Sequence, residues 1–139
     1  MSSTLDEYVQ KWIILANRDL RSAENEFRMY GKYFISEAVC FHAQQAAEKY
    51  LKAFLITHHI DFEKTHNIEY LVDLCAKEDP TFNSLTTGNL TFYAVESRYP
   101  ENFSKPSRDN ARNSIEIAKN VKKIVFSKLG VKKIDSFKD

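Results

Sequence analysis

Four histidines, two cysteines and six arginines are the residues of this 139-residue chain best able to do metal, nucleophilic or acid–base chemistry. Their spacing narrows the choice quickly. His58 and His59 are adjacent and would point about 100° apart on a helix, so regular backbone cannot turn both onto one ion. No His-Glu-x-x-His or paired Cys-x-x-Cys pattern is present, and the expectation is that no residue serves as a metal ligand. Cys40 and Cys75 are far apart among apolar neighbours and read as buried free thiols of a reducing compartment. Glycines stand only at 31, 88 and 130, which leaves no loop to cradle a phosphate. Catalytic residues are expected to be absent.

What remains is recognition chemistry. His42, Gln45, Lys49 and Lys52 recur at steps of three and four and form a polar strip on an otherwise apolar segment. Lys49 and Lys52 suit a phosphate or a partner's carboxylates, whereas a Glu48–Lys52 pair within the helix is the competing role for Lys52. His66 is expected in the first turn of a helix, either bonding nearby backbone or touching a ligand, and the N–H groups there could receive an anion. Arg98, beside Tyr99, offers a fork for phosphate or carboxylate. Its competing role is a salt bridge to Glu48 or Glu96, and Tyr99 competes between capping a core and stacking on a base.

The elements that position these groups read as helices. Thr4-Leu5-Asp6-Glu7 has a capping-box pattern, and apolar residues then fall at 3–4 spacing from Leu5 to Tyr30, with Gly31 as the stop. Phe34 to His59 is apolar over more than half the helical wheel, with small Ala43, Ala46 and Ala47, and should pack on two sides. Thr65 is expected to cap a third helix with Ile68, Leu71, Val72 and Cys75 inward, ending at Asp79-Pro80. A fourth helix is expected over 85–99, stopped by Pro100. Ser107 should cap a fifth, carrying Ala111, Ile115, Ala118, Val121, Val125 and Leu129 to Gly130. The fold class is therefore all-α, an antiparallel up-and-down bundle of about five helices. It is expected as one domain over 1–130, followed by a basic, frayed tail over 131–139.

Composition agrees. Gly and Pro number three each, which argues against a turn-rich sandwich or barrel, and ten Phe, seven Tyr and one Trp supply a core. The longest apolar run, Trp12–Ala16, is far short of the roughly 20 residues needed to span a bilayer. The first residues lack a basic region, so no signal peptide is expected, and the chain is expected to be cytoplasmic without membrane partners. The formal net charge of +1 gives no global pull toward nucleic acid. Only the lysine-rich C-terminal end offers a local basic surface, the basis of an RNA-adaptor alternative.

Four pieces stand in order: His42-Ala43-Gln44-Gln45-Ala46-Ala47-Glu48-Lys49-Tyr50-Leu51-Lys52-Ala53, then Thr65-His66-Asn67-Ile68, then Arg98-Tyr99-Pro100, preceded by Ala16-x-x-Asp19-Leu20-x-x-Ala23. Together they resemble the HEPN family (higher eukaryotes and prokaryotes nucleotide-binding domain) from Trp12 to about Ile124. The resemblance implies a helical bundle related to the helical domain of kanamycin nucleotidyltransferase, often a homodimer. Members are commonly encoded beside a minimal nucleotidyltransferase, and many such pairs behave as toxin and antitoxin. Some members are metal-independent ribonucleases that use an Arg followed four to six residues later by His.

This chain departs from the ribonuclease pattern. His66 is the last histidine, and Arg28, the last arginine before His42, precedes it by fourteen positions. Arg108-Asp109-Asn110-Ala111-Arg112-Asn113 is the nearest echo, with Asn113 where an imidazole would stand. An amide does not titrate near neutral pH and cannot act as the acid or base of cleavage. The expected function is non-catalytic. The chain would bind a nucleotide, a cognate minimal nucleotidyltransferase, or both, through Lys49, Lys52, His66, Arg98 and Tyr99, with no cofactor beyond a bound nucleotide. The alternative is a toxin-like ribonuclease acting on RNA or tRNA through Arg98, Arg108 or Arg112.

Overall fold

A computed structural model describes residues 5–88, 90–94 and 100–131. Five α-helices occur among them: α1 (Glu7–Phe27), α2 (Ser36–Thr57), α3 (Ile68–Glu78), α4 (Leu90–Ala94) and α5 (Arg108–Leu129). They form the expected all-α bundle, with no strand among the described residues. No helix there is long and apolar enough to cross a membrane.

The bundle is built around α2. Fourteen of its 22 residues are buried, against five of 21 in α1, because α1, α3, α4 and α5 all pack on it. Its alanines 43, 46, 47 and 53 are fully buried and bring neighbouring backbones close, while Tyr50 and Phe54 fill the larger gaps. Tyr50 sits edge-on to Phe126 of α5, and Phe54 packs on Phe82. Cys40 and Cys75 are free and buried. Burial drives both thiols upward, Cys75 to about 12, so neither is a thiolate at neutral pH.

Helix ends differ from the sequence reading where two capping residues compete. Asp6 caps α1 by accepting from the Tyr8 N–H; Thr4, the expected cap, lies outside the described residues. Helix α1 ends at Phe27 rather than near Tyr30, and Gly31 (φ +54°) opens a 3₁₀ turn, Gly31–Tyr33, instead of closing α1. The Ile35 N–H, at the entry to α2, donates to the Glu26 carboxylate. At α3 the cap is Asn67, whose Oδ1 accepts from the Tyr70 N–H, while Thr65 Oγ1 accepts from the Asn67 N–H. Asn is as good a cap as Thr, and the start moves two residues on. His66 therefore precedes α3 instead of lying in its first turn.

The expected helix over 85–99 begins later. Residues Pro80–Ser84 form a 3₁₀ turn capped by Asp79, Leu85 is extended, and Gly88 takes φ +56°. That left-handed residue cannot propagate a right-handed helix. The stretch 95–99 and the expected tail 132–139 lie outside the described residues. At α5 the expectation holds: Ser107 and Asn110 form a reciprocal capping box, and Gly130 ends the helix at φ +69°.

Arg108, the first residue of α5, closes the far end of α1. Its guanidinium donates to the carbonyls of Phe27 and Met29, both at 3.2 Å, and lies 4.0 Å from the Phe34 ring centroid and 5.0 Å from that of Phe27. One side chain thus caps the last carbonyl of α1, holds the chain just beyond it and lies against two aromatic rings. Arg108→Ala should lower unfolding free energy by about 1–2 kcal/mol. Arg108→Lys should recover less than half, because an ammonium has no planar fork to bridge two carbonyls while stacked. Urea midpoints of the three proteins check this.

Candidate functional site

The polar residues of α2 face α1 and the loop before α3, and hydrogen bonds link them into two nodes. Glu48 is the centre of the first. Its carboxylate, 6% exposed, accepts from Lys52 Nζ at 2.8 Å, His66 Nδ1 at 2.9 Å and Gln44 Nε2 at 3.2 Å. Gln44, fully buried, also donates to the His66 carbonyl at 2.8 Å, and its own Oε1 accepts from Gln45. Lys52 is 8% exposed and lies 5.9 Å from the Trp12 ring centroid and 5.7 Å from that of Phe62, within cation–π range. The competing role read from sequence, an intrahelical Glu48–Lys52 pair, is the one observed.

A carboxylate only accepts, so His66 Nδ1 carries the proton in this bond. The His66 side chain is 62% exposed while its anchor is buried. An oriented imidazole therefore stands at the surface on a buried carboxylate. The amides that follow it are engaged: the Ile68 N–H donates to Thr91 Oγ1 and the Tyr70 N–H to Asn67.

The second node joins α1 to α2. Asp19 accepts from Lys49 Nζ and from His42 Nδ1, the latter at 3.1 Å, and nearby the Tyr50 hydroxyl donates to Asn17 Oδ1. Burial would raise the Asp19 carboxyl, but hydrogen bonds from His42 and Lys49 outweigh it and hold the group below its ordinary value. The strip His42, Gln45, Lys49 and Lys52 is thus internally engaged: His42 and Lys49 bond Asp19 of α1, Gln45 and Lys52 bond Gln44 and Glu48 of α2, and Lys52 also lies near the Trp12 and Phe62 rings. Of the expected binding residues, the fold brings Lys52 and His66 onto one carboxylate and places Lys49 on another. Arg98 and Tyr99 lie outside the described residues.

Two members of these nodes carry a signal of internal pairing in their positions. Asp19 sits three residues from Ala16 at the edge of the inward stripe of α1, and Gln44 interrupts the Ala43–Ala47 run. Polar groups at such positions require internal partners. No three His, Cys, Asp or Glu side chains converge as a metal site among the described residues. His58 and His59 are exposed at the end of α2, where His58 packs on Phe54 and lies 3.6 Å from Glu78.

Removing one partner of the buried pair leaves the other charge under-compensated. Lys52→Met should cost about 3 kcal/mol of unfolding free energy, and Glu48→Gln with Lys52→Met should recover most of it; urea denaturation of both variants decides. The Asp19 node gives a pH signature. A carboxyl held low in the folded state stabilises above its ordinary unfolded value of about 4, and that contribution disappears as pH falls through the lower folded value. The stability gap between wild type and Asp19→Asn, measured by urea unfolding, should shrink as pH falls from 5 toward 3.

A family model for the HEPN domain matches residues 9–129. Neither the curated proteins nor the solved structures gave a match. The matched span runs from within α1 to the end of α5 and includes both polar nodes, so a bundle organised on α2, read with that match, makes this chain a member of the HEPN domain family.

Proposed function

We propose that this chain is a non-catalytic HEPN protein that binds a nucleotide, a cognate minimal nucleotidyltransferase, or both, within a cytoplasmic two-component module of toxin–antitoxin type, as a homodimer. The family assignment supports a nucleotide-binding or ribonuclease-like module at the coarser level. The finer reading is carried by one observation: His66 is exposed, yet its ring is fixed by a buried carboxylate that also holds Lys52. An imidazole oriented in this way recognises a hydrogen-bonding group with little entropy to lose on binding. It has no guanidinium in the sequence spacing of the family's ribonucleases.

The ribonuclease alternative requires an arginine available to a scissile phosphate. Arg108 is bound to the carbonyls of Phe27 and Met29, and Arg112 pairs at the surface with Asp109; Arg98, the third arginine of this alternative, lies outside the described residues. Of the lysines behind the RNA-adaptor alternative, Lys119 pairs with Glu24 and Lys128 with Asp79. The engagement of Arg108 favours the binding module over the ribonuclease.

The test is titration calorimetry with ATP, GTP, CTP and UTP and with a minimal nucleotidyltransferase, using wild type and His66→Ala. Binding of at least one should weaken tenfold or more in the variant. Its stability should fall by only about 1 kcal/mol, the worth of one hydrogen bond. Unchanged binding with lost stability would make His66 purely structural. Metal-free cleavage of RNA by the purified chain, abolished by Arg112→Ala, would replace this reading with the ribonuclease.

A further inference from the structure

Eight large apolar side chains are exposed among the described residues, and four of them, Met29, Tyr30, Tyr33 and Ile35, fall within seven consecutive positions that join α1 to α2. Tyr30 is 83% exposed and Tyr33 69%, the two highest values of the eight. Phe27 and Phe34 behave differently, packing against the core and edge-on to each other. The connection thus buries its phenylalanines and shows its tyrosines. Single exposed apolar residues are ordinary, whereas a gathered patch marks an interaction surface.

The patch is held in shape from several sides. The Tyr33 N–H donates to the Tyr30 carbonyl and the Phe34 N–H to that of Gly31, closing a turn that brings the two tyrosine Cα atoms within about 7 Å. Arg108 of α5 holds the Met29 carbonyl at one edge, and the Glu26 carboxylate accepts from the Ile35 N–H at the other. A ligand meeting this connection has little backbone to order, and tyrosine offers contact area with few torsions to freeze.

Charge narrows the choice of ligand. The exposed charged residues of 26–37 and 108–112 are Arg28, Lys32, Arg108 and Arg112 against Asp109, while Glu26 and Glu37 are half-buried. Asp109 pairs with Arg112. The other three cations hold neutral partners: the Asn25 amide oxygen, the Tyr33 ring and two backbone carbonyls. Positive charge therefore borders the patch. Met29 and Ile35 give a base nothing to stack on, and the Phe27 and Phe34 rings already carry Arg108. Both features favour a protein over a single-stranded nucleic acid, which needs open aromatic platforms.

We infer that the α1–α2 connection is a docking surface for a partner protein, engaged through a segment that combines apolar side chains with carboxylates. Tyr30 and Tyr33 are its anchors, and Arg28 and Lys32 select the charge. Glu48 stands twelve residues beyond Ser36 on α2, about 18 Å along the axis. This surface is therefore separate from the His66 site and goes beyond the function proposed above.

The test is selection of random phage-displayed dodecapeptides on the full chain, after depletion on the Tyr30→Ser, Tyr33→Ser double variant. The most enriched peptide is then synthesised and titrated by calorimetry, beside an oligouridine of equal length. Enriched sequences should pair Phe, Leu or Trp with Asp or Glu. The peptide should lose tenfold or more in affinity with Tyr30→Ser and about fivefold with Lys32→Glu. Tyr30→Phe, which keeps the ring, should retain most of the affinity, and His66→Ala should leave it unchanged. Both tyrosines are exposed, so these variants should keep the wild-type urea midpoint. Enrichment of peptides without acidic residues would overturn the charge assignment. Absence of any peptide that distinguishes wild type from the double variant would overturn the docking surface itself. Oligouridine binding tighter than the peptide's, and lost with Tyr30→Ser, would overturn the protein partner and assign the patch to nucleic acid.

Discussion

A carboxylate buried in the middle of a helical bundle constrains everything around it. Glu48 lies on α2, the helix with neighbours on most of its circumference, and it cannot turn toward water. Its oxygens need donors from within the protein, because leaving a buried charge uncompensated costs more than most single contacts contribute. Lys52 supplies one from the next turn, Gln44 another from the preceding turn, and His66 a third from the loop before α3. Only the third crosses between elements. It works with the Gln44-to-His66 carbonyl bond to fix where the chain re-enters the bundle after α2, and so where α3 starts.

The Asp19 node performs the same task between α1 and α2. Its partners His42 and Lys49 are seven residues apart on α2, about two turns, so one carboxylate from α1 clamps two successive levels of the central helix. Hydrophobic burial of Ile13, Ala16 and Leu20 brings α1 against α2 but tolerates small slides and rotations. The polar nodes do not tolerate them, since a shift of one residue would strand a charge. Specific pairing thus sets register where apolar packing supplies the driving force.

Arg108 shows how a residue type that suggests chemistry becomes a structural part. A guanidinium at the start of a helix suggests a phosphate contact, yet here the group lies against the rings of Phe27 and Phe34 and holds the carbonyls of Phe27 and Met29. Its planar, weakly hydrated cation tolerates that stacked setting better than an ammonium would. The consequence for function is indirect. With Arg108, Lys49 and Lys52 bound internally, the imidazole of His66 remains exposed.

How much of this was legible depended on whether the determining contacts are local. The five helices, the central place of α2, the buried thiols and the Ser107 and Gly130 caps follow from periodicity and capping chemistry within a few residues, and the chain alone determined them. The start of α3 was missed by two residues because Thr65 and Asn67 are both competent caps. The late start of α4 turned on the left-handed conformation taken by Gly88. The resemblance carried by the His42–Ala53 segment already pointed to the HEPN family, although spacing alone could not distinguish a lysine facing solvent from one facing Glu48 or Asp19. That distinction belongs to the tertiary structure. Residues 19 and 42, 48 and 66, or 27 and 108 meet only after helices pack, and whether a charge is free or already paired is a property of what lies across the interface.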